Sequence, residues 1–251
     1  MLSSANVPSS ERLEDVQVQH RLIELEEVTL HCVEAGSGPL VLLLHGFPEF
    51  WYTWRRILPA LVRAGFHVVA PDLRGYNLSS KPRGVSRYAL PLVVGDIVQL
   101  IRKLGHERAS LVGHDWGANV VWAMAMYQPE WVERFAVLNG PHPLRLLLGL
   151  LNPLQLLRGD AVHANAFTSS DLDHFTEAVL GVAVGGGVEQ HHLAVLGDAR
   201  AGDAHLAGRQ LARPSPRFVP QCRVEFFEQA GHYVHHDCPE PVGRALVGFL
   251  R

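Results

Sequence analysis

Cysteine is rare in this sequence, and the few that occur are far apart. The 251 residues contain three cysteines, at positions 32, 222 and 238. Three scattered thiols cannot build the disulfide framework that stabilises small secreted proteins. Residues 1–5 also lack a charged start followed by an apolar run, so no signal peptide is predicted. We therefore expect a cytoplasmic protein.

Long apolar runs and runs of like charge are lacking as well. The most apolar segment, residues 144–157, is interrupted by Arg145, Asn152 and Pro153. It is shorter than the roughly 20 residues that a membrane-spanning helix needs. Acidic and basic residues number 25 and 22, the formal net charge is −3, and no basic run is present. The sequence therefore predicts neither a transmembrane segment nor a nucleic-acid partner.

The residues that are abundant are apolar, and their spacing predicts an α/β fold. Continuous apolar runs typical of buried strands are separated by segments with helical spacing. This alternation predicts a mostly parallel central sheet flanked by helices. The predicted strands are residues 40–44, 66–70, 109–112 and 135–138, with a preceding hairpin at 21–26 and 28–33.

The pattern changes after residue 143. Residues 144–189 show helical segments without strand alternation, so we predict a short helical cap inserted into the sheet. The core would then comprise residues 17–143 and 190–251, preceded by a flexible tail at 1–16. Strand character returns at 192–196 and 222–227, and a helix at 239–250 closes the chain.

A turn around Asp115 carries the most specific chemical signal. Gly113 and Gly117 flank it, between a predicted strand and a predicted helix. Small residues in this pattern form a sharp turn that projects the central side chain above the sheet. A carboxylate there is already ionised and can attack carbon directly, leaving an ester on the enzyme. The alternative interpretation is an aspartate that only caps the following helix.

Two further loops follow predicted strands and carry reactive side chains. One spans residues 198–203 and offers Asp198 and Asp203, and the other carries His232. In open α/β sheets, ligands bind beyond the carboxyl ends of the strands. The order nucleophile, acid, histidine is that of the α/β-hydrolase fold. His232 would activate water, and one of the two aspartates would orient its ring.

Several motifs in order resemble the epoxide hydrolase branch of the α/β hydrolases, together with its haloalkane dehalogenase relatives. The resemblance covers roughly residues 20–143 and 190–251, and an ordered set is far more specific than any single motif. The motifs are His45-Gly-Phe-Pro, Trp54-Arg55, Asp72-Leu-Arg-Gly-Tyr76, Gly113-His-Asp-Trp-Gly-Ala118, and Gly231-His232 followed by Pro239-Glu240. The resemblance implies hydrolysis of a small apolar electrophile, most directly an epoxide to a vicinal diol, with water and without a cofactor.

The same resemblance implies roles for individual residues. Asp115, His232 and Asp203 would form the triad, since Asp203-Ala-His-Leu matches the continuation of the family pattern better than Asp198 does. Some relatives place the acid after the sixth strand, where this chain has Asn139. The backbone N–H groups of Phe47 and Trp116 would form the oxyanion hole, while His45, Trp51 and His114 would line the substrate pocket.

The chain departs from the family pattern in the cap. Epoxide hydrolases of this type use two cap tyrosines as proton donors, but no tyrosine occurs between Tyr127 and Tyr233. His163 or His174 could substitute. A halide leaves without a proton, so haloalkane hydrolysis is an alternative, although Phe47 stands where haloalkane dehalogenases usually have Asn. A further alternative is a non-catalytic binding protein with a degenerate cap.

The histidine-rich segment after Gly231 raises the possibility of a metal site. His232, His235, His236 and Asp237 lie close together in sequence, with His191 and His192 upstream. Their spacing matches no usual zinc pattern. We therefore predict that these residues do not bind a metal.

Overall fold

The computed structural model describes residues 9–140, 193–198, 223–227 and 230–251. In these ranges nine strands form one sheet, in the order β1-β2-β3-β5-β4-β6-β7-β8-β9. The strands are β1 Ser10–Leu13, β2 Val16–Glu24, β3 Thr29–Ala35, β4 Leu40–Leu44, β5 His67–Pro71, β6 Ala109–His114, β7 Val132–Leu138, β8 Leu193–Asp198 and β9 Arg223–Phe226.

Parallel pairing is confined to the centre of the sheet. Strands β5, β4, β6 and β7 are parallel neighbours, and their carboxyl ends meet at one edge. The flanking strands pair antiparallel, with β1, β2 and β3 on one side and β8 and β9 on the other. Loops that follow the central strands are thereby collected at the same edge, where ligands bind in α/β proteins.

Five helices and three 3₁₀ turns accompany the sheet in the described ranges. None of these helices is long and apolar enough to cross a membrane. The helices are α1 Leu58–Arg63, α2 Leu90–Lys103, α3 Trp116–Tyr127, α4 Val234–Asp237 and α5 Pro239–Leu250; the 3₁₀ turns are Trp51–Trp54, Val85–Tyr88 and Pro129–Trp131.

The sheet separates two hydrophobic layers. On β4, Leu42 packs in the layer formed by α2 and α3, whereas the adjacent Leu43 packs in the layer formed by α1 and α5. Every residue of this strand is buried, since successive side chains of a strand point to opposite faces and both faces are covered. The burial of β4 on both faces explains why residues 40–44 form a continuous apolar run.

The N-terminal region requires one correction. Residues 1–16 were predicted to be a flexible tail, but β1 pairs with β2 from Ser10 to Leu13. Leu13 and Val16 are buried in the layer of α1 and α5, and this apolar contact holds the edge strand on the sheet. The predicted hairpin is confirmed as β2 and β3, with β2 beginning at Val16 rather than at residue 21.

The remaining predicted elements within the described ranges are confirmed to within a few residues. The strand at 40–44 and the closing helix at 239–250 have the predicted bounds. The predicted cap at 144–189 and the core boundaries at 143 and 190 lie outside the described residues and stay predictions.

Candidate functional site

Asp115 occupies a strained turn between β6 and α3. Its backbone has φ 51° and ψ −114°, a conformation that residues other than glycine rarely adopt. Such strain costs on the order of 1–3 kcal/mol and persists only where the surroundings fix it. Here the Asp115 N–H donates to the carbonyl of Leu138 at 3.2 Å, which ties the turn to β7. The carboxylate is thereby held at the carboxyl edge of the parallel strands.

Glycines around this turn permit the close approach of three backbone segments. A Cβ atom on Gly117 would lie 2.1 Å from the carbonyl oxygen of Leu44, and one on Gly113 would lie 2.4 Å from the carbonyl oxygen of Gly117. A Cβ atom on Gly46 would lie 2.5 Å from the Cβ atom of Asp115. No side chain fits at these positions, so the glycines that predicted the turn are required by its packing.

The carboxylate of Asp115 receives donors from three residues. The Phe47 N–H donates to Oδ1 at 2.9 Å, and the Trp116 N–H also donates to the carboxylate. The Nε2 atom of His232 lies 3.4 Å from Oδ2. Burial alone would raise the pKa of Asp115, but the hydrogen bonds from His232, Phe47 and Trp116 outweigh it and lower the pKa. The carboxylate is therefore ionised at neutral pH.

The structure brings His232 to Asp115 through the last strand. Strand β9 runs parallel to β7, so it leads the chain back to the carboxyl edge just before His232. The backbone carbonyl of His232 accepts a hydrogen bond from His114 Nε2 at 2.8 Å. This bond fixes the loop, while the His232 ring stays partly exposed above the carboxylate.

Of the two aspartates predicted as the triad acid, the structure describes only Asp198. Asp203 lies outside the described residues. Asp198 is the last residue of β8 and pairs with Arg134, four residues before Leu138 on β7. At about 3.3 Å per residue, this places its backbone roughly 13 Å from the carboxyl edge. The register therefore does not favour Asp198 as the partner of His232.

The predicted pocket residues His45, Trp51 and His114 are buried. The ring of His45 donates from Nδ1 to the carbonyl of Gly46 at 2.9 Å and accepts the Leu73 N–H at Nε2 at 3.0 Å. Both nitrogens are thus used inside the protein, as are those of His114. These bonds support the loops around Asp115, and substrate contact by His45 and His114 stays a prediction. Substrate contact by Trp51 stays a prediction.

Glu49 is a site residue to which the sequence analysis assigned no role. Its carboxylate accepts hydrogen bonds from His114 Nδ1 at 2.6 Å and from His235 Nε2 at 3.2 Å. Burial alone would raise the pKa of Glu49, but these hydrogen bonds hold it well below its usual range. The sequence offered one indication of this role. Glu49 lies in the loop that follows the predicted strand at 40–44, four residues beyond His45.

His114 connects two loops of the site through its two ring nitrogens. Nδ1 lies 2.6 Å from Glu49 Oε2, and Nε2 lies 2.8 Å from the His232 carbonyl oxygen. A buried histidine–carboxylate contact therefore lies directly beneath the His232 loop.

Aromatic side chains give this edge of the sheet an apolar surface. Phe47 and Trp116 are 61% and 60% exposed although both are large and apolar, and Tyr233 is 39% exposed. Their backbones flank Asp115 or His232. An exposed apolar cluster around a reactive carboxylate is typical of a site for an apolar ligand.

Comparisons with known proteins agree with this arrangement. The family model of the alpha/beta hydrolase fold matches residues 39–181. The AB hydrolase superfamily protein YfhM of Bacillus subtilis is 30% identical over 281 aligned residues, which cover 93% of this chain and 98% of that protein.

The epoxide hydrolases among the relatives match over shorter stretches. Bifunctional epoxide hydrolase 2 of Sus scrofa is 50% identical over 114 residues, which cover 45% of this chain and 20% of that protein. Epoxide hydrolase A of Mycobacterium tuberculosis is 46% identical over 123 residues, covering 48% of this chain and 38% of that protein. The chain thus spans well under half the length of these two relatives.

Among solved structures, that of VrEH2 superposes with a TM-score of 0.51 at 39% identity. The superposition covers 57% of this chain and 45% of VrEH2. The predicted resemblance is thereby confirmed at the level of family. This chain belongs to the α/β-hydrolase family and is similar to its epoxide hydrolases.

Proposed function

We propose that this protein hydrolyses a small apolar epoxide to a vicinal diol through a covalent ester on Asp115. The observation that carries the proposal is the orientation of the Asp115 carboxylate. Oδ1 accepts the Phe47 N–H at 2.9 Å, while Oδ2 lies 3.4 Å from His232 Nε2. The two oxygens are thereby suited to different roles.

In the first step, Oδ2 attacks a ring carbon of the epoxide. A carbon–oxygen bond forms, the ring carbon–oxygen bond breaks, and the electron pair goes to the epoxide oxygen. No base is needed, since Asp115 is ionised. Oδ1 becomes the carbonyl oxygen of the ester and stays beside the N–H group of Phe47.

In the second step, His232 Nε2 takes a proton from water as the water attacks the ester carbonyl carbon. Negative charge develops on Oδ1, to which the Phe47 N–H already donates, and the Trp116 N–H would be the second donor of the oxyanion hole. Collapse of this intermediate breaks the bond between the Asp115 carboxyl carbon and Oδ2, and Oδ2 leaves with the product after taking the proton from His232. The second proton of the water passes to the epoxide oxygen, so the diol leaves and the carboxylate is restored with one water oxygen.

We propose Asp203 as the acid that orients His232. It lies five residues beyond the end of β8, and five residues of extended chain span up to about 17 Å. That reach exceeds the roughly 13 Å between the backbone of Asp198 and the carboxyl edge. We likewise propose that residues 144–189 form the cap over the apolar surface of Phe47 and Trp116.

Haloalkane hydrolysis by the same nucleophile is the second candidate. The sequence has no tyrosine from position 128 to 232, and an epoxide oxygen needs a proton to leave, whereas a halide needs only hydrogen-bond donors. The exposed Trp116 ring, adjacent to Asp115, carries one such N–H group. Release of halide rather than diol identifies this reaction.

Labelled water tests the covalent route. In heavy-oxygen water, a single turnover should give unlabelled product and a labelled Asp115 peptide, because the first product oxygen comes from the carboxylate. Multiple turnovers should give labelled product. Label in the product of the first turnover would mean direct attack by water and would exclude the ester.

Two variants separate the steps. His232→Gln should accumulate an adduct on the Asp115 peptide, since attack by a carboxylate needs no base. For an epoxide the added mass equals that of the whole substrate, and for a haloalkane it equals the alkyl group less one hydrogen. Asp115→Ala should form no adduct and no product in a folded protein. A wild-type protein that reacts with no epoxide or haloalkane tested would support the non-catalytic alternative.

A further inference from the structure

Three separate parts of the chain contribute potential metal ligands to one buried cluster. Glu49 comes from the loop after β4, His114 from the end of β6, and His235 from α4. One ligand atom from each lies within 4.8 Å of the others. His114 and His235 are fully buried, and the Glu49 side chain is 7% exposed. None of these atoms belongs to the nucleophile or to the ring of His232.

We propose that Glu49, His114 and His235 bind a divalent transition-metal ion of the zinc type. The donor set is one carboxylate and two imidazole nitrogens, which suits zinc with water in the fourth position. From sequence, His235 and His236 were grouped with His232, Asp237, His191 and His192, and no metal was predicted for that set. The structure instead pairs them with Glu49 and His114, which are distant in sequence.

The spacing of the ligand atoms fits tetrahedral coordination. With metal–ligand bonds of about 2.0–2.1 Å, neighbouring ligand atoms of a tetrahedral site lie about 3.3 Å apart. Glu49 Oε1 lies 3.2 Å from His235 Nε2, close to that value. The 2.6 Å contact between Glu49 Oε2 and His114 Nδ1 is shorter, and it would open when the metal replaces the shared proton.

The second ring nitrogens allow the required tautomers. His114 Nε2 donates to the His232 carbonyl at 2.8 Å, so Nε2 carries a proton and Nδ1 can bind metal. A metal-bound histidine commonly donates its other N–H to a backbone carbonyl in this way. His235 Nδ1 has no hydrogen-bond partner, so nothing prevents it from carrying the proton while Nε2 binds the ion.

The surroundings also orient the carboxylate and leave a route of entry. The Gly46 N–H donates to Glu49 Oε2 at 3.1 Å, and the Thr53 hydroxyl donates to Oε1 at 2.5 Å. The same Thr53 oxygen lies 2.6 Å from His235 Nε2, so it moves away or becomes a further ligand when an ion binds. Outer hydrogen bonds of this kind hold a carboxylate ligand in place. The His236 side chain is 30% exposed, which opens the cluster to solvent on that side. An ion bound here would tie the loop of His232 to β6 through His114.

Metal retention tests the proposal independently of any enzymatic activity. The full chain is stripped with a chelator, loaded with Zn²⁺, dialysed and analysed for metal by mass spectrometry. We expect about one ion per chain, lost in His235→Gln. In His235→Gln the dissociation constant for Zn²⁺ should rise at least tenfold. Removal of an outer-shell partner already costs about tenfold in metal affinity, and loss of a direct ligand should cost at least as much. His106→Gln is the matched control, because His106 faces His67 rather than this cluster.

Two outcomes would overturn the proposal: no retained ion in the wild-type protein, or equal retention in His235→Gln. Circular dichroism verifies that the variant is folded. X-ray absorption of the Co²⁺-loaded wild-type protein provides a second test that needs no variant. It should show at least two imidazole ligands and no sulfur, and a spectrum without imidazole scattering would exclude the site.

Discussion

His114 donates from Nε2 to the backbone carbonyl of His232 at 2.8 Å, and this bond couples the end of β6 to the loop of the proposed base. The other nitrogen of the same ring lies 2.6 Å from Glu49 Oε2. Position 114 precedes the nucleophile directly, so the turn that presents Asp115 also anchors the loop that carries His232. The relative placement of the two reactive groups is thereby fixed by one buried histidine–carboxylate pair.

The first prediction concerns this pair. Glu49→Gln should destabilise the protein by about 3–5 kcal/mol, since it leaves the buried rings of His114 and His235 without their carboxylate partner. Urea unfolding with a chelator present measures the change without any contribution from metal. The exposed Glu240→Gln serves as the control and should change stability by less than about 0.5 kcal/mol. Equal effects of the two variants would contradict the pairing.

The second prediction tests the triad acid. Asp203→Asn should slow hydrolysis of the ester by at least about 10²-fold, because His232 would lose the group that orients and charge-balances its ring. Asp198→Asn should change this step little, since β8 places its backbone at the far edge of the sheet. Stopped-flow kinetics resolves ester formation from ester hydrolysis. The reverse ranking would show that the assignment of Asp203 is wrong.

The third prediction concerns the ion pair of Arg74 and Asp96 beneath the loop after β5. Arg74 donates from Nε and Nη2 to the two oxygens of Asp96, both at 2.6 Å, and both side chains are buried. Arg74→Ala should cost about 3–5 kcal/mol of unfolding free energy, because a carboxylate is left buried and unpaired.

The matched control is Arg244→Ala, which breaks an exposed pair with Glu240 on α5. That pair should contribute less than about 1 kcal/mol. Chemical denaturation of both variants at neutral pH makes the comparison. A loss at Arg74 as small as that at Arg244 would show that the buried pair contributes no more than a surface one.

The fourth prediction is a loss of stability in mild acid that involves His20. Burial, followed by repulsion from His31, lowers the pKa of His20 in the folded protein. The unfolded chain therefore binds more protons than the folded chain below the unfolded pKa of about 6.5, so stability falls as the pH drops through that value. The His20 ring contacts His31 and meets the Trp51 ring edge-on. Its Nε2 atom lies 3.9 Å from Glu11 Oε2.

Urea midpoints at pH 7.5 and pH 5.5 measure this dependence. His20→Gln should reduce the difference between the two midpoints, because glutamine does not titrate in this range. Gln17→Ala, at an exposed position on the same strand, should leave the difference unchanged. An unchanged difference in His20→Gln would assign the acid sensitivity to other groups.

The apolar runs and the glycine-flanked turn determined much of the fold in advance. Residues 40–44 could only be a central strand, because a continuous apolar run needs cover on both faces. Gly113, Gly117 and Asp115 likewise specified the turn, since the segments around it approach too closely for a Cβ atom. Local sequence was sufficient for these features because the constraint acts within a few residues.

The tertiary structure decided how polar residues distant in sequence are paired. His45 and His114 were predicted to line the substrate pocket, and the structure shows in addition that both rings bond to groups inside the protein. Glu49 received no role from sequence, although it meets His114 and His235 across 65 and 186 positions. The contact energy of such a cluster depends on burial and on the simultaneous arrangement of several loops. No spacing along the chain encodes that arrangement, and only the folded sheet, by bringing its strand ends to one edge, determines which of these groups meet.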